Sequence, residues 1–174
     1  MDTGTIIVTL IFLVIVIVPF FIFGKTYRKQ KKQLLLSLKQ EAEKQRAQLR
    51  GTEVAGKFGI AIDEAADILF FARLNGSEYS ARALVLSDYN RCRMNTKRSF
   101  AEEGESAVTG IELVFYAVEK GSPDVVLNLF DADNDAVTLS DELQVAVKWS
   151  QILERRFKDN KKKPTRQITR SQAG

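Results

Sequence analysis

Residues 59–74 read GIAIDEAADILFFARL and carry the clearest strand–turn–strand pattern in the chain. Apolar residues alternate with small ones up to the turn, which is the period of two that a half-buried strand requires. Residues 63–67 are a polar turn, and residues 68–74 form the returning apolar strand. Asn75-Gly76 follows at once and is a strong hairpin signal. The stretch therefore predicts antiparallel strands joined by tight turns.

The chain beyond this hairpin signal keeps the same period and then changes to a helical one. Further strands are predicted at residues 79–86, 89–96, 111–118 and 125–130, with turns at Ser87-Asp88 and at residues 121–124. Residues 97–108 contain three glutamates and are predicted to form a polar loop. From Leu139 to Phe157 apolar residues recur at helical spacing, which predicts an amphipathic helix of about five turns.

Six short strands followed by one helix resemble pleckstrin-homology-like domains, in particular the small bacterial versions carried on a membrane anchor. The resemblance is carried by GIAIDEAADILFFARL, ALVLSDYNRCRM, GIELVFYAV, DVVLNLF and DELQVAVKWSQILERRF, and the domain is assigned to residues 51–158. It implies an α+β or mainly β fold, in which a strongly bent antiparallel sheet or partial barrel is capped by the C-terminal helix. It also implies a binding or scaffolding module without a catalytic site.

An apolar run without a charge precedes these strands. It is Thr5–Gly24, which reads TIIVTLIFLVIVIVPFFIFG. A helix of this length spans roughly 30 Å, the thickness of the hydrocarbon core of a bilayer. A cleaved signal peptide is the alternative, but the preceding MDTGT has no basic residue and no small-residue cleavage site follows. The sequence therefore predicts a transmembrane anchor in residues 1–24.

Basic residues crowd the C-terminal side of this run. They are Lys25, Arg28, Lys29, Lys31 and Lys32. The positive-inside rule then predicts a single-pass protein of the cell membrane, with its N-terminus outside and its C-terminal domain in the cytoplasm. Residues 25–50 lack Gly and Pro and are predicted to form a basic juxtamembrane helix. Its apolar stripe comprises Leu35, Leu38, Ala42 and Leu49. The five basic residues either contact anionic lipid or only fix the topology.

Composition excludes several kinds of site. The chain has no histidine and one cysteine, which excludes histidine-based catalysis, an intrachain disulfide and a cysteine-cluster zinc site. Residues 51–158 hold 12 basic and 18 acidic residues, so the overall charge of +4 does not indicate nucleic-acid binding. The lone Cys92 fits a reducing compartment and a small buried side chain. Residues 159–174 are polar and basic and are predicted to be disordered.

An acidic stretch after the last predicted strand has the spacing of a calcium-binding loop. Positions 1, 3, 5 and 12 of that loop would be filled by Asp131, Asp133, Asp135 and Glu142. Ala136 stands where the sharp turn needs glycine, and Leu139 offers no side-chain ligand at position 9. The alternative is an acidic strand-to-helix connection that caps the helix. The sequence therefore predicts no cofactor, with calcium at this loop as the one alternative.

Four basic residues lie in the predicted strand at residues 89–96 and in the loop after it, and we call them the basic row. Its members are Arg91, Arg93, Lys97 and Arg98. The resemblance implies that such a row can bind an anionic lipid headgroup or phosphate. The alternative is the solvated face of a half-buried strand, and the net charge of −6 over residues 51–158 argues against attraction to an anionic membrane.

Taken together, these patterns predict a binding protein rather than an enzyme, since no phosphate loop, dinucleotide turn or nucleophile elbow occurs in the sequence. The predicted function is to recruit or scaffold a protein partner at the membrane, through an exposed strand edge or the face of the sheet. One alternative is a lipid- or calcium-responsive sensor. Another is a structural subunit, whose anchor and stalk pack into a larger membrane complex.

Overall fold

The computed structural model describes the backbone of residues 3–100, 106–135 and 141–162, and the side chains of residues 10–15, 27–99, 107–135 and 141–160. The described residues form seven strands, two α-helices and one 3₁₀ helix. In chain order these are α1 Thr3–Lys44, β1 Arg50–Ala55, β2 Phe58–Asp63, β3 Ile68–Asn75, β4 Glu78–Val85, the 3₁₀ helix Leu86–Asp88, β5 Tyr89–Phe100, β6 Ser106–Ala117, β7 Val125–Asp131 and α2 Glu142–Lys162. The chain divides into two compact units, residues 1–84 and residues 85–174.

The first unit is a four-stranded antiparallel sheet, in the order β1-β2-β3-β4, covered by the second half of α1. Three fully or almost fully buried side chains of α1 lie four residues apart, namely Leu34, Leu38 and Ala42. They pack against Ala61, Phe70 and Ala72 of the sheet. Gly59 permits this close approach, because a Cβ placed there would lie 3.0 Å from Cδ1 of Leu38. The amphipathic face of α1 therefore supplies three of the six buried residues of this cluster.

Asp63 links the connection between α1 and β1 to the turn after β2. Its carboxylate accepts hydrogen bonds from the backbone N–H groups of Gln48 at 2.7 Å, Ala65 at 2.9 Å and Ala66 at 3.0 Å. These N–H donors, the Ala66 N–H first, lower the pKa of Asp63 because they stabilise its charged form, and the charge of Arg50 adds to the effect. Asp63 is therefore a structural residue of the β2–β3 turn.

We expect the acid limb of the stability curve to depend on Asp63. A carboxyl group with a lowered folded-state pKa stabilises the fold above its unfolded-state pKa, and this contribution is lost as the pH falls through the folded-state value. The urea midpoint of the wild type should thus fall from about pH 4 downward more steeply than that of Asp63→Asn. Glu78→Gln, at an exposed position at the start of β4, is the control. Parallel acid limbs for wild type and Asp63→Asn would contradict this assignment.

The second unit is a three-stranded antiparallel sheet, in the order β5-β6-β7, with α2 packed on one face. The covered face includes Cys92 of β5 and Leu113 and Phe115 of β6, all buried. The buried residues of α2 recur at helical spacing, and they are Ala146, Trp149, Leu153 and Phe157. The rings of Phe115 and Phe157 meet edge to face, with centroids 6.5 Å apart. The opposite face carries the exposed side chains of β5.

The predicted single bent sheet or partial barrel is wrong. The structure is an α+β fold with two open sheets, because β4 and β5 follow each other in the chain but do not pair. The 3₁₀ helix Leu86–Asp88 stands between these strands, and Leu86 is buried. Helix α1 covers the first sheet and helix α2 covers the second. The prediction instead had one C-terminal helix capping a single sheet. Strand β1 was not predicted.

No helix within the described residues is long and apolar enough to cross a membrane. This finding overturns the predicted transmembrane anchor at residues 5–24, and with it the single-pass membrane localisation with the N-terminus outside and a cytoplasmic domain. Helix α1 continues to Lys44. Its described side chains are those of residues 10–15, which are apolar and exposed, and those of residues 27–44, which are buried on one side of the helix and exposed on the other.

Three predicted boundaries also change. Helix α1 does not reach Gly51: it ends where Arg46 takes a positive φ of 54° and the Ala47 N–H donates to the Ala42 carbonyl at 2.9 Å. The predicted polar loop at residues 97–108 is mostly strand, since β5 and β6 continue through Phe100 and from Ser106. Helix α2 extends to Lys162, past the predicted start of the disordered tail at residue 159. Residues 163–174 lie outside the described residues.

Candidate functional site

The basic row does not form one cluster of four cations. Alternation along β5 places Arg91, Arg93 and Lys97 on the face opposite α2, and it places Arg98 on the other face. The β5–β6 register also shifts between Lys97 and Arg98. The described side chains thus divide into three basic residues on one face and one on the other.

Lys97 is neutralised by a neighbour on β6. Its ammonium group donates to Oε1 of Glu112, and this hydrogen bond, together with the carboxylate charge, raises the pKa of Lys97. Gly110 lies directly opposite Lys97 and leaves room for the lysine stem, whose Cδ would be 3.2 Å from a Cβ at that position. Lys97 therefore belongs to a structural ion pair on the sheet surface.

Arg91 and Arg93 remain as exposed cations on the same face. The guanidinium carbon of Arg91 lies 4.0 Å from the centroid of the Tyr116 ring, which holds the side chain by a cation–π contact. Arg93 lies opposite Val114 on β6. Residues two apart on a strand are separated by roughly 7 Å, so the two guanidinium groups can contact different groups of one extended ligand.

A groove of about 270 Å³ runs between β5 and the C-terminal half of α2. It is lined by Asn90, Arg91, Cys92, Arg93, Glu154, Phe157 and Lys158. Strand β5 is an edge of its sheet, since among the described strands it pairs with β6 alone. No residue of β6 lines the groove, so it opens at the outer edge of β5. This arrangement brings a strand edge that has no partner among the described strands beside an aromatic residue and a mixed pair of charges on a helix.

The side chains of α2 at the groove differ in exposure. Phe157 is 6% exposed and forms the floor with Cys92, which is 3% exposed. Glu154 and Lys158 stand at the rim and approach each other to 4.0 Å. Sequence reasoning did not connect α2 with β5, because no local pattern shows that Phe157 and Cys92 meet. The helical apolar stripe that ends at Phe157 was the one available signal.

Cys92 is buried, as the sequence predicts, and its thiol is neutral. Burial, together with the smaller effect of the charge of Glu154, raises the pKa of Cys92 to about 12. A thiolate is the nucleophilic form of cysteine, and that form is negligible at neutral pH with such a pKa. The Cys92 side chain therefore acts as a small apolar group at the floor of the groove.

The acidic stretch after β7 forms a compact turn. Oδ1 of Asp131 accepts from the Asp133 N–H at 3.2 Å, and Oδ2 accepts from the Asn134 side chain at 2.8 Å. Oδ2 of Asp135 accepts from the Asp131 N–H at 2.8 Å. Glu142 begins α2 and is 7% exposed. Among the described residues no three acidic or cysteine side chains are grouped as a metal site requires, so we assign no metal here.

The basic residues proposed to contact lipid lie on α1. Arg28, Lys29, Lys31 and Lys32 are exposed there, and the side chain of Lys25 lies outside the described residues. The structure places them on the helix that covers the first sheet, within two turns of the buried Leu34. Their contact with anionic lipid stays a prediction.

A second and larger pocket lies at the N-terminal end of β5, with a volume of about 540 Å³. Its lining is Ser87, Asp88, Tyr89, Ala117, Val118, Glu119, Ser122, Pro123 and Val125. Two hydrogen bonds close the sheet beside it: Oδ1 of Asp124 accepts from the Ala117 N–H at 3.1 Å, and the Asn90 amide donates to the Ala117 carbonyl at 3.1 Å. The groove differs from this pocket because it runs along the strand edge.

Comparison with known proteins gives no relative of the chain. No protein-family model matches it, and the searches of curated proteins and of solved structures return no match.

Proposed function

We propose that the chain is a protein-binding module that takes up an extended segment of a partner along the outer edge of β5. The observation that carries this proposal is the groove between β5 and α2. An edge strand presents a row of backbone N–H and C=O groups that can pair with an added strand. Strand β5 is twelve residues long, so it offers a template longer than the average strand.

The groove supports strand addition better than contact on the open sheet face. A segment paired with β5 would project alternate side chains towards the floor at Phe157 and Cys92 and towards the exposed face. Backbone pairing then supplies affinity, and the groove selects the side chain that enters it. Its volume of about 270 Å³ lies below the usual range for whole small-molecule sites, which suits one side chain of a peptide.

Selection of a displayed library of random twelve-residue peptides on the full-length chain tests this proposal. The chain is kept in a mild non-ionic detergent, because the exposed apolar residues 10–15 promote association. We expect recovered peptides to slow amide hydrogen exchange at alternate residues of β5 between 90 and 97, since only every second N–H of an edge strand faces outward. Peptides that protect other segments, or no recovered peptide, would overturn the proposal.

Backbone methylation of the recovered peptide provides the control. Methyl groups on the N–H groups of one peptide edge should reduce affinity at least about tenfold, because they remove the pairing with β5. The same number of methyl groups on the other edge should leave affinity nearly unchanged. Equal losses for the two patterns would contradict strand addition, since they would show that the backbone direction does not matter.

A further inference from the structure

We infer that the partner segment carries two acidic residues, two positions apart, on either side of an apolar residue. The inference rests on the proposed function, because it assumes a strand paired with β5. The face of β5 opposite α2 bears two exposed guanidinium groups, on Arg91 and Arg93. Between them lies the buried Cys92 on the face that α2 covers. The partner's side chains would follow the same alternation.

The acidic positions follow from the geometry of neighbouring strands. Side chains directly opposite each other on adjacent strands have Cβ atoms about 5 Å apart, and opposite charges there attract. Carboxylates at positions i and i+2 of the added strand would thus each face one guanidinium group. Arginine pairs with a carboxylate through two parallel hydrogen bonds, which gives direction as well as charge. The cation–π contact holds Arg91 over Tyr116 of β6 in the free protein, so its guanidinium group would turn from this ring toward the outer edge to meet the carboxylate.

The apolar position follows from the floor of the groove. The residue between the two acidic ones would project towards Cys92 and Phe157, which are 3% and 6% exposed. Both surfaces are apolar, and the thiol is neutral because burial raises the pKa of Cys92. A charged side chain at this position would lose its hydration without a partner on the floor, which is costly. An aliphatic or aromatic side chain would instead extend the core.

Charge also decides between possible occupants. The residues at the groove include three basic ones, Arg91, Arg93 and Lys158, and one acidic one, Glu154, a net charge of +2. The chain's own residues 159–174 carry a net charge of +4, so the groove repels them. A second copy paired through β5 would bring arginines of both copies together, and charged edges of this kind discourage self-association. An acidic partner is the occupant that complements the site.

Three nine-residue peptides in one Thr/Val frame test the inference with the full-length chain. Their centres are Glu-Leu-Glu, Gln-Leu-Gln and Lys-Leu-Lys. We expect the Glu-Leu-Glu peptide to bind at least about tenfold more tightly than the Gln-Leu-Gln peptide, and its affinity to fall as salt rises. All three dissociation constants are measured by isothermal titration calorimetry. Slower amide hydrogen exchange in β5 shows whether each peptide binds at this strand.

Charge reversal supplies the matched controls. The double variant Arg91→Glu and Arg93→Glu should prefer the Lys-Leu-Lys peptide, and this exchange of preference cannot result from unfolding. Arg155→Glu makes one such charge change on the exposed side of α2, outside the groove lining, and should keep the wild-type preference. Unchanged fluorescence of Trp149 confirms that each variant keeps its fold.

Each failure has a distinct meaning. If the three peptides bind equally and protect β5, the inference is overturned and the proposed function stands. If none of them protects β5, and the library peptides do not either, both are overturned. Binding to vesicles of phosphatidylserine and phosphatidylcholine that requires Arg91 and Arg93, and that the Glu-Leu-Glu peptide does not displace, would overturn the inference in favour of a lipid surface.

Discussion

Replacing Leu153 by alanine is expected to lower the free energy of unfolding of the second unit by about 2–5 kcal/mol. Leu153 is 0% exposed and lies in the middle of the row by which α2 packs on the sheet of β5, β6 and β7. Alanine leaves a cavity there, because the neighbours on both sides are also buried. Loss of α2 packing would remove one wall of the groove as well.

Trp149 makes the measurement specific to the second unit. It is the one tryptophan of the sequence, it is 2% exposed and it lies one helical turn before Leu153. Its fluorescence during urea unfolding therefore reports the release of α2 from its sheet. Ile152→Ala is the control, because this neighbour has the same side-chain composition and is 36% exposed. It should cost well under half as much, and equal shifts for the two variants would contradict the assigned packing.

The sequence predicted the strands of the second unit well, and physical reasons explain why. Residues 91–94 alternate basic and apolar side chains within the strand predicted at residues 89–96, and the structure has β5 over this range with Cys92 facing α2. The helical spacing of Leu153 and Phe157 correctly predicted the face of α2 that is buried. Both patterns are local, because neighbouring side chains on one strand or one helix determine which face is apolar.

The division into two sheets could not be predicted in the same way. Whether β4 and β5 pair depends on the path of the chain through the 3₁₀ helix at residues 86–88, and no period in the sequence records it. The groove was missed for the same reason. The basic face was predicted from alternation alone, whereas the groove exists because β5 is an edge and α2 packs beside it. The acidic loop, conversely, had a ligand spacing, but hydrogen bonds within the turn occupy Asp131.

The predicted apolar stripe of α1 is right at Leu38 and Ala42 and wrong at Leu35. The prediction grouped Leu35 with Leu38 and Ala42, whereas the structure buries Leu34 with them and leaves Leu35 half-buried. Leu34, Leu38 and Ala42 are separated by four residues each, so they form one ridge along the helix. That ridge matches the small residues Gly59, Ala61 and Ala72 of the sheet, a complementarity that appears only when both elements are in place.

Replacing Leu38 by alanine is therefore expected to destabilise the first unit by about 2–5 kcal/mol. Leu38 is 0% exposed, and its Cδ1 lies 3.0 Å from where a Cβ on Gly59 would stand, so its side chain fills the space above this glycine. Amide hydrogen exchange of β2 and β3 should accelerate by roughly 30-fold or more under conditions where exchange follows global opening, because each 1.4 kcal/mol corresponds to a factor of ten.

Leu36→Ala provides the comparison for this variant. Leu36 is the same residue type two positions away on α1, but it is 40% exposed. Its replacement should change the exchange of β2 and β3 only slightly. A stalk that merely precedes the domain would respond equally weakly to both substitutions. A helix that covers the sheet responds to Leu38 alone, because only that leucine loses its contact with Phe70 and the alanines around it.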